Sequence, residues 1–170
     1  MMKLDTAELF KNEGYTVPLE GEIDYSGVDY YGDRPFRTAH VAGKAENRGG
    51  IVSLRLDVLM EVETSCARCL KPIAFTKKAK VREILVRKSG ETDEASESYT
   101  VVDGRTLDLF DVVLSAVLLD IDMVFLCRED CRGLCPVCGA DLNEGMCDCG
   151  KNDQEDRSST GGVTHGSPQG

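Results

Sequence analysis

Six cysteines crowd into CREDCRGLCPVCGADLNEGMCDCG, residues 127–150, as Cys127, Cys131, Cys135, Cys138, Cys147 and Cys149. The other two, Cys66 and Cys69, sit far upstream in CARC. A tetrahedral zinc ion takes four soft or borderline ligands, and a C-x2-C pair offers two thiolates from one tight turn. Cys66/Cys69 and Cys135/Cys138 have that spacing, and Gly139 after the second pair can adopt the positive φ such a turn needs. Cys127-x3-Cys131 and Cys147-x-Cys149 complete a set large enough for two four-thiolate sites. Spacing alone leaves their pairing open. An iron–sulfur cluster also accepts all-cysteine ligation, but knuckles this closely spaced favour zinc. A lone cysteine is more often a small buried hydrophobe. Six in a Gly- and Asp-punctuated stretch with few core-forming residues are not.

Catalytic readings are weaker. The competing class is a thiol redox protein or redox sensor using Cys66 and Cys69, yet a redox C-x2-C belongs beside a βαβ pattern, whereas CARC joins two strand-like runs. His40 lies in a strand-like run and His165 near the C-terminus, with nothing to bring either to a cysteine. GMCDCGKN, 145–152, nearly matches a phosphate-binding loop, but Asn152 stands where Ser or Thr would hold magnesium. Four thiolates on each metal leave no open position to activate water. The expectation is a non-enzyme without a small-molecule substrate.

The chain has 170 residues, with 41% hydrophobic, 6% aromatic and no tryptophan, which suits one modest core plus appendages. A net charge of −10 argues against indiscriminate coating of nucleic acid, so any RNA or protein partner must meet a local patch. No segment has the length and apolarity of a signal peptide or membrane span. These features predict a cytoplasmic location, where thiols stay reduced and grouped cysteines bind metal.

The elements that must position the thiols follow from periodicity. Residues 4–12 read as a short helix, 17–36 as an extended segment with Gly-rich turns, and 37–50 as a strand ending at Gly49-Gly50. The stretch 51–64 alternates Leu54, Leu56, Val58, Met60 and Val62 with mostly polar residues, and 71–88 alternates as well. Folding back at CARC predicts a long antiparallel hairpin with Leu54 opposite Val81, Leu56 opposite Ala79, Met60 opposite Phe75 and Val62 opposite Ile73. Only Val58 opposite Lys77 breaks its apolar face. The acidic 89–98 reads as a loop and 99–106 as a short strand. Residues 107–122 read as a helix capped by Thr106, apolar on nearly all sides and therefore buried. Residues 151–170 are low-complexity and expected to be disordered.

Between Arg68 and Lys88 lie eight basic residues and one acid, Glu83. Lys78, Lys80 and Arg82 fall at period 2 on the hairpin face opposite the apolar one. In the folded-back register Asp57 neutralises Lys78, while Arg55 faces Lys80, a costly pair unless an anion is near. The strip is either a solvated face balanced by Glu61, Glu63 and the acidic loop, or a partner-binding surface for RNA phosphate or an acidic protein.

A strand ending in CARCLKP, the helix LDLFDVVLSAVLLDIDM and then C-R-G-L-C-P-V-C-G-A-D-L-N with C-D-C resemble the YceD family, the large ribosomal RNA subunit accumulation proteins, over about residues 15–150. The resemblance implies a non-enzymatic ribosome-biogenesis factor supporting accumulation of the large-subunit ribosomal RNA. Its implied partners are that RNA's precursor or a large-subunit ribosomal protein. Some members lack the last four cysteines, which implies that Cys66, Cys69, Cys127 and Cys131 form one zinc unit and Cys135, Cys138, Cys147 and Cys149 another. The expected architecture is α+β: a largely antiparallel sheet packed by one buried helix over residues 1–126, a Cys-rich zinc-knuckle segment, 127–150, docked on the 66–69 hairpin tip, and the disordered tail, 151–170.

Overall fold

The computed structural model describes residues 2–88 and 99–149; the expected loop at 89–98 and tail at 151–170 lie outside the described residues. The chain runs β1 (Lys3–Asp5), α1 (Ala7–Lys11), β2 (Thr16–Asp24), β3 (Phe36–Arg48), β4 (Ile51–Ser65), β5 (Pro72–Arg87), β6 (Thr100–Val102), β7 (Thr106–Asp108) and α2 (Leu109–Leu118). Strands β2-β3-β4-β5-β6 form a five-stranded sheet, antiparallel except for the parallel β5–β6 pair, and β1 pairs with β7 in a two-stranded sheet. The largely antiparallel sheet agrees with the alternation in the sequence.

Strand β4 is the spine of the core. Val52, Leu54, Leu56, Val58, Met60 and Val62 are each at most 2% exposed, because period-2 side chains all reach one face. Their burial is worth about 1.5–3 kcal/mol apiece, an upper figure since unfolded chains already hide some of that surface. Gly43 of β3 faces Leu56, and a Cβ there would lie 2.1 Å from the Arg55 carbonyl oxygen. Only glycine lets the two backbones approach this closely.

The hairpin closes two residues further along than folding back at CARC predicts. Leu54 faces Glu83, Leu56 faces Val81, Val58 faces Ala79, Met60 faces Lys77 and Val62 faces Phe75. The last pair is Ser65 with Pro72, leaving residues 66–71 for the tip. That tip is a knuckle in which the Leu70 amide donates to the Cys66 carbonyl (2.9 Å) and the Cys66 amide to the Lys71 carbonyl (2.8 Å), with Leu70 at φ +59°. A two-residue shift keeps every side chain on its face, so the apolar face survives the change. Lys77 stays on the inner face, where it meets Asp120 at 3.2 Å.

Among the described residues both expected helices are present, and both are short. The expected helix at 4–12 is β1 followed by α1, because Thr6 is held to the Arg105 carbonyl through both its amide (2.9 Å) and its hydroxyl (2.8 Å). The expected 107–122 helix is the ten-residue α2, capped by Asp108, whose carboxylate accepts from the Phe110 amide, and not by Thr106, which joins β7. It is not buried on all sides. Leu109, Val113 and Val117 pack on the sheet, while Leu119 just beyond the helix is 89% exposed. A single helix over a sheet has a partner on one side only. Tyr25 ties it down by donating from its hydroxyl to the Phe110 carbonyl at 2.8 Å.

Candidate metal centre

The β4–β5 hairpin projects Cys66 and Cys69 from its tip, and the chain leaving α2 brings Cys127 and Cys131 onto them. The Ala67 amide donates to the Phe125 carbonyl (2.8 Å) and the Leu134 amide to the Arg68 carbonyl (3.2 Å), which hold the two segments together. The four sulfurs converge: Cys66 Sγ lies 3.7 Å from Cys131 Sγ, and Cys69 Sγ lies 3.6 Å from Cys127 Sγ. Four sulfurs around a zinc ion at about 2.3 Å sit roughly 3.8 Å apart, so the spacing fits a tetrahedral thiolate site. Cys66, Cys69 and Cys131 are buried with Leu126 and Leu134 against them, forming a small second core at the hairpin tip.

Cys135, Cys138, Cys147 and Cys149 make the other group, and within each group all four sulfurs lie within 4.8 Å of one another. Here a tight turn does the positioning: the Gly139 amide donates to the Cys135 carbonyl (2.9 Å) and the Cys135 amide to the Ala140 carbonyl (2.8 Å). Val137 and Met146 are 77% and 88% exposed, so apolar packing contributes little to this end. Each group can hold a metal ion.

The surroundings favour one thiolate in each group. Burial pushes the Cys66 thiol up, but the backbone amides of Cys127, Cys69 and Arg68 outweigh it and bring it down to about 6. The Cys138 and Val137 amides bring Cys135 to about 6. Burial, together with neighbouring Cys131 and Cys69, pushes Cys127 up to about 12, and the Cys138 side chain does the same to Cys149. One ready thiolate beside reluctant ones is what crowding four like charges produces without a cation between them.

Several supporting residues escaped sequence reasoning. Lys71 bridges Asp141 (2.8 Å) and Glu144 (2.9 Å), tying the hairpin to the second knuckle. The Lys71 hydrogen bond, then the Asn143 amide, hold the Asp141 carboxyl down at about 2. Asn143 donates from its side-chain amide to Cys131 Sγ at 3.5 Å and accepts from the Arg132 amide, linking the two groups. Gly133, at φ +75°, passes the Arg68 carbonyl so closely that a Cβ would lie 2.9 Å from it. The Asn and Gly between cysteine pairs were the available signal, since turn residues there have to serve the knuckle.

The family described as "Large ribosomal RNA subunit accumulation protein YceD" matches residues 54–159. The chain belongs to the YceD family. Among curated proteins, an uncharacterized protein of Mycobacterium tuberculosis is 38% identical over 79 residues, 45% of this chain and 38% of its own length. The Arabidopsis thaliana protein named "Large ribosomal RNA subunit accumulation protein YCED homolog 1, chloroplastic" is 33% identical over 51 residues, 30% of this chain and 16% of its own. The chain therefore spans well under half the length of these relatives. No solved structure matches it. The YceD match begins within β4 and takes in both cysteine groups.

Lys78, Lys80 and Arg82 stand together on the outer sheet face, away from the core. Lys80 faces Asp57 across the strands, Lys78 faces Leu59, and Arg55 faces Arg82, so the two-residue shift changes every expected partner. Arg82 reaches Asp57 at 3.7 Å. His40 is flanked by Glu22 (3.2 Å) and Glu61 (3.7 Å) on this face, remote in the fold from either cysteine group. Among the described residues no helix is long and apolar enough to cross a membrane.

Proposed function

We propose that this YceD-family chain is a non-enzymatic factor in ribosome biogenesis, supporting accumulation of the large-subunit ribosomal RNA by binding that RNA or a large-subunit ribosomal protein in the cytoplasm. Family membership carries the process, and the printed name of the Arabidopsis relative agrees with it. The cysteines serve structure: Cys66, Cys69, Cys127 and Cys131 hold one zinc ion, and Cys135, Cys138, Cys147 and Cys149 hold the second. Sulfur spacing close to that of a zinc tetrahedron supports zinc, and saturation by four thiolates favours a structural over a catalytic role. Residues 127–149 then act as a metal-built unit clasped to the sheet domain. The contact surface is Lys78, Lys80 and Arg82, held on the outer face of a rigid paired strand, which limits the ordering cost on binding.

The test is a strain lacking the gene, complemented with the chain or with Lys78, Lys80 and Arg82 all changed to Ala. The ratio of large- to small-subunit ribosomal RNA is the readout. The intact chain restores it and the triple variant does not. A folded triple variant that restores the ratio fully removes the strip from the function. Elemental analysis of anaerobically purified protein should return close to two zinc ions, and thiols masked until chelation separate this reading from a redox protein using Cys66 and Cys69.

A further inference from the structure

Strand β5 carries more than a row of charges. On its far side β6 pairs only with Leu85–Arg87. Among the described residues no strand pairs with residues 72–84 on that edge. Beside it, between β5 and α2, runs a groove of about 1010 Å³. Its sheet wall includes Lys78, Ala79, Lys80 and Arg82, and its helix wall presents Val112, Ala116 and Leu119. The Lys77–Asp120 ion pair (3.2 Å) stands at one end, and Thr100, donating to the Glu83 carboxylate (3.0 Å), stands at the other. Between them lie about six residues of strand edge, or roughly 20 Å.

We infer that this groove accepts an extended polypeptide strand, added to the edge of β5, whose side chains alternate between acidic and apolar. The inference rests on the binding role proposed above and names the chemistry of the partner. An added strand satisfies the backbone groups of an open edge, and its side chains alternate between the two faces of the sheet. One set lies on the outer face beside Lys78 and Lys80, neither of which has an ion-pair partner among the described residues. The other set enters the groove against Val112, Ala116 and Leu119. Asp111 and Asp120 on the helix side repel acids pointing inward, so the acidic residues are confined to the outer set. A second copy of the chain does not fit, because pairing two β5 edges sets Lys78, Lys80 and Arg82 against themselves. Edge lysines and the inward-facing Lys77 and Glu83 deter indiscriminate strand pairing, leaving the edge open to a partner of complementary charge.

The experiment uses the purified zinc-loaded chain and a synthetic six-residue core alternating Glu and Val, flanked by Gly and Ser. Hydrogen exchange should show every second amide of residues 78–83 newly protected on binding. N-methylation of alternate peptide residues should abolish binding in one register and leave it nearly unchanged in the other. Ser115→Trp, at an exposed position on the helix wall, should weaken the peptide at least tenfold by filling the groove, as should the triple Ala change on the strip. Equal binding by both methylated peptides, or no effect of Ser115→Trp in a chain that still folds, would overturn the inference. A uridine decamer that binds as tightly as the peptide, with the same dependence on the three cations and no dependence on Ser115→Trp, would assign the strip to phosphate instead. A chain with Glu91, Asp93, Glu94 and Glu97 all changed to Ser that binds tenfold tighter would assign the groove to that segment. These assays read the groove whatever its role, whereas the ribosomal RNA ratio reads the role, so the two failures are distinct.

Discussion

On the two-zinc reading proposed above, changing Cys135 and Cys138 to Ser removes two of four ligands from the outer knuckle and none from the inner one. The outer knuckle has almost nothing else to hold it. Val137 and Met146 are largely exposed, and Leu134 and Leu142 are only partly covered, so apolar burial there is worth at most about 3 kcal/mol. A structural zinc site contributes on the order of 10–16 kcal/mol of apparent binding energy at neutral pH. Ordering fifteen residues, 135–149, costs roughly 1–2 kcal/mol each in backbone entropy alone. Without its ion the segment has no means to offset that cost. The sheet loses no core side chain, and Cys127 and Cys131 remain clipped to Cys66 and Cys69. The expected outcome is zinc falling from two ions to one, amides of 135–149 exchanging at the unfolded rate, and the amides of β3, β4 and β5 keeping their protection. Global loss of protection, or two retained zinc ions, would refute the division of the cysteines into an inner and an outer site.

Three further outcomes are expected. Gly43→Ala should destabilise the sheet by about 1–3 kcal/mol in urea titration, since β3 and β4 must part by roughly 1 Å, whereas Gly21→Ala, whose Cβ meets only the flexible Met2 side chain at 3.4 Å, should cost far less. Tyr25→Phe should cost about 1 kcal/mol by leaving the Phe110 carbonyl without its donor, with the loss showing first in exchange of the α2 amides. In reduced, metal-free protein, where the inner knuckle keeps its packing against Leu126 and Leu134, thiolate ultraviolet absorbance should show Cys66 titrating near pH 6, below the ordinary 9.0. Because that value is lowered by folding, the stabilisation it brings is complete above pH 9 and lost as pH falls through 6. A single titration step near 9 would contradict the arrangement of amides around that sulfur.

Alternation in 51–64 was legible because one face of β4 is wholly buried and the other is wet, which leaves its imprint at every second residue. The register with β5 was not, since a two-residue slip conserves that imprint and only the shape of the CARC knuckle decides between the two. Likewise LDLFDVVLSAVLLDID looks apolar all round, yet Val112 and Ala116 are only partly buried at the rim of the core and, with the exposed Leu119, border an open groove. Composition reports affinity for a partner surface without saying whether that surface belongs to the same chain. Cysteine counting allowed for two four-thiolate sites, but residue spacing was silent on the partners. The resemblance implied the grouping, and the sulfurs lie in those two groups.

The inner thiolate group joins residues that are far apart in the order of synthesis. Cys66 and Cys69 emerge first, and Cys131 follows Cys69 by roughly sixty residues, a gap that takes on the order of 3–12 s at ordinary translation rates. Throughout that interval the hairpin tip carries two thiols with no ligands to complete their set. They must pass that time unoxidised and unclaimed by another metal. The clasp therefore closes only on a chain whose helix has already been made.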